Sequence, residues 1–406
     1  MDDSPYLRGV DSLMSATVSI DAQLYWSLPG PREFMHKIAS RASTSRVLAI
    51  NTPRRTIAGT WSKVKEGLKN AHVDPVIELI IRKGTDISED VGVHLSTGRI
   101  TAGQLAAVSE NMSTAIMLRA EDPEANELCA QYTAEFLEAT EHSHGNIHLV
   151  TALHDIDYQT DQSAPDVEII AFDGGVSQEE MDAYVSLRMI TRPGPGSTRL
   201  VRALVSEFAG FDVQLAERLM LLDESQILAI QGTLNGLLDE DHGRWRNESW
   251  LDGTRSSAHP DRHILLDQYL SLNGSVAARE EASTRISRRY WKACVKIITP
   301  WIEERKALVM KYFRPQIDRI AAGNKGKITI PRSNRTADID PDELELNNIV
   351  GMYYSGQITA TSPDEQSALK VCQRVKAVRD DIAHLRAPTS QALVDLIYEM
   401  DRLVRT

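Results

Sequence analysis

Arg379, Asp380 and His384 stand close together near the end of the chain, in the run Arg379-Asp380-Asp381-Ile382-Ala383-His384. Side chains of these types can break a phosphodiester without a metal. Imidazole titrates near neutrality and can take or give a proton. Guanidinium stays charged, and its planar fork matches phosphate oxygens. RNA carries its own nucleophile, the 2′-hydroxyl beside the scissile phosphate, so such a site has only to move protons and steady the charge of the phosphorane. His384 is the candidate general acid/base and Arg379 the candidate charge-stabilising group. Asp380 is the candidate for orienting Arg379, or the His384 of a second copy. The alternative is a plain surface pair of Arg379 and His384 with Asp380, Asp381 or Glu399. One Arg-x4-His spacing is no more than chance supplies in 406 residues of this composition, so the weight rests on the surrounding elements.

Upstream, Ser362-Pro363-Asp364-Glu365 reads as a helix start, with a Ser cap, Pro at the first helical position and Glu closing a capping box. Leu369, Cys372, Val375, Val378 and Ile382 then recur at helical spacing. The motif therefore ends an amphipathic helix. Arg379 and His384 are five residues apart, about 140° around the axis at 3.6 residues per turn. They share a cleft only if the helix end bends or a second copy contributes. Pro388 ends the element, and Thr389-Ser390 can cap a last helix striped by Leu393, Leu396, Ile397, Met400 and Leu403. Asp340-Pro341-Asp342-Glu343 repeats the start signal before Leu344, Leu346, Ile349, Val350 and Tyr353. A long helical stretch at about 276–321 carries Tyr290, Trp291, Val295, Ile298, Trp301, Ile302 and Leu308, with Pro300 and Pro315 expected to kink or break it. Residues 275–406 thus predict four or five helices, a basic loop near Asn324–Arg335 and at most a short strand at Lys327–Ile330.

An all-α domain of this size, with Arg-polar-x3-His where the penultimate helix ends, resembles the HEPN superfamily. The resemblance covers about the last third of the chain, and Arg379, Asp380 and His384 are the residues that carry it. It implies an endoribonuclease in which two copies dimerise so that their motifs face each other and cut RNA, leaving 2′,3′-cyclic phosphate and 5′-hydroxyl ends. It also implies a restrained enzyme, a toxin or antiviral defence effector, with a regulatory protein or antitoxin among its partners. A HEPN-like module that binds RNA or dimerises without cutting is the alternative.

Charge is unevenly placed. Residues 275–406 carry 22 Lys+Arg and 17 Asp+Glu, whereas residues 1–274 carry 23 and 40, within a net of −12. A basic module on an acidic body suits a polyanion at that end alone. Arg285, Arg288, Arg289, Lys292 and Lys296 crowd one segment, and Arg288, Lys292 and Lys296 share a helical face, which is either a nucleic-acid-binding surface or a solvated one. Three scattered cysteines, Cys129, Cys294 and Cys372, fit a reducing cytoplasm and offer neither a disulfide framework nor a zinc site. Apolar runs are too short to cross a bilayer and the N-terminus lacks a secretory pattern, so a cytoplasmic protein with no membrane partner is expected.

The first half reads as an α/β body. Val47–Ile50, Val76–Ile81, Thr114–Leu118, Ile147–Leu153 and Val167–Phe172 are short apolar, β-branched runs, most of them apolar on both faces, as buried parallel strands are. Helical segments at about 56–70, 101–110 and 123–139 lie between the first four. A helical region follows from about 178 to 272, including 198–208, 212–222 and 262–272, with Trp245, Trp250 and the stretch Asp239–Pro260 irregular. The expected organisation is an α/β body over 1–190, a helical lid-like or linker region over 191–274, and a HEPN-like bundle over 275–406.

The strand–loop–helix at 47–70 invites a phosphate-loop reading, which demands G-x4-G-K-[ST]. Only Gly59 matches; Thr60 holds the lysine position and Trp61 the hydroxyl position. Ile169-Ile170-Ala171-Phe172-Asp173 imitates a strand that ends in a metal-binding acid. The body is faintly similar to AAA+ or STAND-type NTPases, implying a degenerate NTPase-like scaffold; an active NTPase and an unrelated α/β domain stay open. His142, His144, His148 and His154 cluster in sequence with Asp155 and Asp157, but the strand expected at His148 argues against convergence. The run Thr191-Arg192-Pro193-Gly194-Pro195-Gly196-Ser197 could seat an anion at a helix start, or simply link and cap. No cofactor and no metal are expected.

Overall fold

A computed structural model of the chain describes residues 20–52, 56–110, 112–154, 169–190, 197–240, 262–332 and 335–405. It is a mixed α/β and helical protein of two compact units. The first is Met1–Tyr184 with Ala209–Arg218 and Leu238–Leu266; the second is Val185–Phe208 with Leu219–Leu237 and Asp267–Thr406.

The first unit opens with α1 (Ala22–Ser27) and α2 (Pro29–Thr44) and then alternates: β1 (Val47–Thr52), α3 (Thr60–Asn70), β2 (Val76–Ile81), α4 (Ile87–His94), α5 (Ala102–Ala106), β3 (Thr114–Ala120), α6 (Pro123–Thr140), β4 (Ile147–His154) and β5 (Ile169–Ala171). The five strands form one all-parallel sheet in the order β2-β3-β4-β1-β5. β1 is buried along its whole length, and β3 and β4 nearly so, which is why their sequences are continuous apolar runs rather than alternating ones. β2 is an edge, and it shows Ile80 to solvent. Successive side chains go to opposite faces. Val47, Ile116, Leu118, Leu149 and Leu153 pack with Val91, Leu105 and Phe136 from α4, α5 and α6 into one core. At about 1.5–3 kcal/mol for each large apolar side chain buried, this layer is a main source of stability.

Each expected strand is present, the last as the edge strand Ile169–Ala171 among the described residues, with Val167 outside them. The helices differ in detail. The helix expected at 56–70 begins at Thr60, because Gly59 takes a left-handed conformation (φ 88°) that serves as its cap. The segment expected as one helix at 101–110 holds only the short α5, closed by a Thr101–Gln104 capping box; α4 was not foreseen, although Asp86 caps it.

The middle of the chain, α7 (Gln178–Arg188), α8 (Ser197–Ala209), α9 (Val213–Met220), α10 (Glu224–Leu228), α11 (Ile230–Glu240) and α12 (Ile264–Asn273), supplies segments to both units. The second unit continues with α13 (Val276–Met310), α14 (Arg314–Gly323), β6 (Ile328–Arg332), β7 (Arg335–Ile339), a 3-10 turn at Pro341–Glu343, α15 (Leu346–Tyr354), α16 (Pro363–Ala383) and α17 (Ser390–Arg405). Ile286, Tyr290, Cys294, Ile298, Trp301 and Ile302 of α13 are buried, as are Leu369, Cys372, Val375 and Val378 of α16 and Leu393, Leu396, Met400 and Leu403 of α17.

Two expectations are corrected in this unit. The basic loop is an antiparallel hairpin, in which Ile328 and Ile330 are buried. The start signal at Asp340 makes only the 3-10 turn; α15 begins after Glu345, which forms a capping box with Asn348. At the two prolines the outcome is mixed: α13 continues through Pro300 without a break, whereas the expected break near Pro315 is present, with α13 ending at Met310 and Pro315 in the first turn of α14. No helix among the described residues is long and apolar enough to cross a membrane.

Candidate active site at the end of α16

α16 is anchored at its start. The Glu365 carboxylate accepts from the backbone N–H of Thr361 (2.9 Å) and Ser362 (3.0 Å) and from the Gln316 amide (3.0 Å), while the Ser362 hydroxyl accepts from Glu365 N–H. The backbone donors of Ser362 and Thr361 favour the ionised form and push its pKa down to about 2. From there the helix runs unbroken to Ala383 and His384 caps it (φ −93°, ψ 19°). The helix is continuous to this point, so Arg379 and His384 of one copy leave the axis about 140° apart.

The two side chains have different surroundings. His384 is exposed. Arg379, 26% exposed, points its Nη1 to Glu345 Oε2 at 2.8 Å and Glu303 Oε1 at 3.7 Å. It therefore joins the cap of α15 and the body of α13 to α16. Asp380 pairs with Lys376 (2.6 Å) one turn back, Asp381 with Arg386 (3.1 Å), and Glu399 with Lys370 and with Arg402 (3.0 Å). The surface pair of Arg379 and His384 with Asp380, Asp381 or Glu399 is thus not what forms, since each of those acids has a different cation.

Arg288 and Lys296 are exposed and Lys292 half-buried along α13. Their neighbours do other work: Arg285 pairs with Glu281, and Arg289 is buried and donates to the Glu207 carbonyl (3.1 Å). Between them Trp291 donates its indole N–H to the Ile382 carbonyl (2.8 Å). One helix thus carries the basic face and also touches the turn that presents His384. Glu303, Glu345, Trp291 and Arg386 were not anticipated. The Glu345-x2-Asn348 spacing is a capping-box signal that marks Glu345, and Arg386 lies only five residues from its partner Asp381; the contacts of Glu303 and Trp291 depend on packing and leave no local trace.

The α/β body answers the other expectations. Thr60, where a phosphate loop has lysine, is buried and its hydroxyl donates to the Ile57 carbonyl (2.7 Å). Trp61, where the magnesium hydroxyl belongs, lies edge-on to His154. Neither residue fits a nucleotide phosphate or its magnesium. Asp173 follows the edge strand β5 and accepts from Gly175 N–H within its own turn (2.8 Å). His148 and His154 lie at opposite ends of β4, about 20 Å apart at 3.3 Å per residue. Burial, foremost, holds His148 below its ordinary pKa, and His154 Nδ1 lies 3.0 Å from the Thr52 hydroxyl. No group of three or more His, Cys, Asp or Glu among the described residues is placed to hold a metal. Asp155, Asp157, the glycine run before Ser197, Trp245 and Trp250 lie outside the described residues. No protein-family model matches the chain, and no curated protein sequence matches it.

Proposed function

We propose that the chain is a metal-independent endoribonuclease of HEPN type, whose site is completed by a second copy of the chain. The observation that carries this reading is an exposed imidazole at the hydrogen-bonded end of α16, on the unit that also bears the basic face of α13. His384 takes and gives the protons, and Arg379 steadies the charge on the phosphorane. Because the two diverge around one helix, a symmetric homodimer supplies the missing half. Arg288, Lys292 and Lys296 hold the RNA backbone, and Asp380, which within one copy pairs with Lys376 rather than Arg379, orients the partner copy's imidazole. The 2′-hydroxyl requirement selects RNA over DNA. An enzyme of this kind works in the cytoplasm as a toxin or antiviral effector under restraint. The α/β body acts as its sensor or regulator, an NTPase-like scaffold without the phosphate lysine, and a regulatory protein or antitoxin is a further partner.

One observation favours a second reading. Two glutamates already neutralise Arg379, as expected of a structural brace in a module that binds RNA or dimerises without cutting. Incubation of purified protein with single-stranded RNA in EDTA decides between them. The ribonuclease reading expects cleavage with cyclic-phosphate ends that His384→Ala abolishes. Binding that survives loss of Arg379 and His384, with no product under any condition, establishes the scaffold.

A further inference from the structure

The turn presenting His384 is tied more heavily than a helix end requires. Leu385, just past the cap, is left-handed (φ 56°). Its N–H donates to the Ile382 carbonyl (3.1 Å) and the Arg386 N–H to the Asp381 carbonyl (2.9 Å), the paired closure of a Schellman motif. Glycine normally takes that position, because a Cβ there costs about 1–2 kcal/mol. Here it is a leucine, and at 74% exposure its side chain recovers little by burial. A strained turn of this kind unwinds unless something outside the backbone holds it.

Two side chains do so. Arg386 Nε donates to Asp381 Oδ1 (3.1 Å), closing a second ring over the one its own N–H makes to the same residue. Trp291 adds a donor to Ile382 from α13. Asp381 thus binds Arg386 through both carbonyl and carboxylate, and His384 lies inside the loop between them. The neighbouring Asp380 does nothing of the kind, since its carboxylate faces Lys376.

We propose that Asp381 and Arg386 are positioning residues that clamp the turn and so set the place of the His384 ring; the proposal rests on the ribonuclease reading. Proton transfer needs the imidazole within hydrogen-bond reach of the 2′-hydroxyl or the leaving oxygen. A misplacement of about 1 Å costs on the order of a hundredfold in rate. Opening the clamp lets Leu385 leave the left-handed region and frays the last turn, which moves the cap residue without removing any group that touches RNA.

The test measures kcat and KM for single-stranded RNA cleavage in EDTA. It compares wild type, His384→Ala, Asp381→Asn, Arg386→Gln, Arg386→Lys and the double variant Arg386→Gln/Leu385→Gly. The clamp predicts that Asp381→Asn and Arg386→Gln lower kcat about 10- to 100-fold with KM unchanged. Arg386→Lys, which keeps a cation, restores part of the rate. Leu385→Gly restores most of it in the Arg386→Gln background, because glycine holds the turn without a clamp. A purely structural ion pair predicts no such suppression. If His384→Ala abolishes cleavage while both clamp variants cut like wild type, or glycine fails to rescue, the clamp is wrong and the ribonuclease stands. If wild type and His384→Ala cut equally, or neither cuts, the ribonuclease reading is refuted and the clamp falls with it.

Discussion

Arg379→Ala separates a catalytic cation from a structural brace, because the two roles differ in size. As a brace, Arg379 contributes one close ion pair with Glu345 and one long one with Glu303. The arginine is 26% exposed and the glutamates 48% and 49% exposed, so solvent screens both pairs. Such pairs contribute about 0.2–1 kcal/mol each, and the longer one the less. Their joint loss is therefore about 1 kcal/mol, a fall in Tm of roughly 2–4 °C for a unit of this size. Because folded proteins hold about 5–15 kcal/mol in reserve, nearly every molecule stays folded at 25 °C. As the cation that meets the phosphorane, the same guanidinium acts where charge develops. Removal of one preorganised donor from such a position costs about 10²–10³ in kcat. Single-turnover cleavage of RNA in EDTA, paired with thermal unfolding of the same preparation, reads both quantities. The expected result is a loss of two to three orders of magnitude in cleavage with a Tm change of a few degrees. Cleavage within threefold of wild type, beside the same small fall in Tm, would show that Arg379 only ties α13, α15 and α16 together.

Leu385→Gly alone removes the strain of a left-handed leucine, so the variant should be more stable by about 1 kcal/mol in chemical denaturation; a loss of stability would mean that the leucine makes contacts offsetting its conformation. Glu365 is depressed to about 2 by the backbone donors of Thr361 and Ser362, so its contribution is complete above the ordinary carboxylate range and is lost as pH falls from there toward 2. Glu365→Gln should therefore lower Tm at pH 7 and flatten the decline between pH 5 and 2, and parallel curves for the two proteins would contradict the assignment. Replacing Arg288, Lys292 and Lys296 by alanine together should weaken RNA binding across sequences and reduce the slope of log K against log salt by about 2, at roughly 0.7 per phosphate contact on single strands. An unchanged slope would remove that face from the RNA path.

Much of the α/β body was legible because buried parallel strands advertise themselves. Val47–Ile50 is apolar without interruption and Ile147–Leu153 nearly so, short β-branched runs of the kind that parallel strands buried on both faces carry. The ends of helices were legible where caps are local, as at Ser362-Pro363-Asp364-Glu365, and illegible where a similar signal is outcompeted. Asp340-Pro341-Asp342-Glu343 looks identical in kind, yet Leu344 leaves helical geometry (ψ 135°) and buries itself, and Glu345 restarts the count. β7 escaped notice because Ala337 and Asp338 have poor strand propensity and its run is short of apolar residues; its partner β6, with Ile328 and Ile330 in the core, supplies the reason it forms.

The candidate site divides along the same line. Its residue types, and the divergence of Arg379 from His384, follow from sequence spacing, since five residues on an α-helix fix the angle whatever packs around it. The surroundings of each side chain do not follow, because Glu303 lies 76 positions from Arg379 and Trp291 lies 91 from Ile382. That distinction bears on function. A motif whose two chemical groups face different ways in one copy is informative about assembly before it is informative about catalysis. The imidazole stands on the exposed end of a helix fixed from three sides, by the Schellman closure, by Arg386 and by Trp291, while the guanidinium is partly withdrawn among carboxylates. If two copies do meet at this helix end, the glutamates that hold Arg379 must give it up, or share it, when a phosphate arrives. Under the proposed ribonuclease reading, Glu345 and Glu303 are then competitors of the substrate for Arg379.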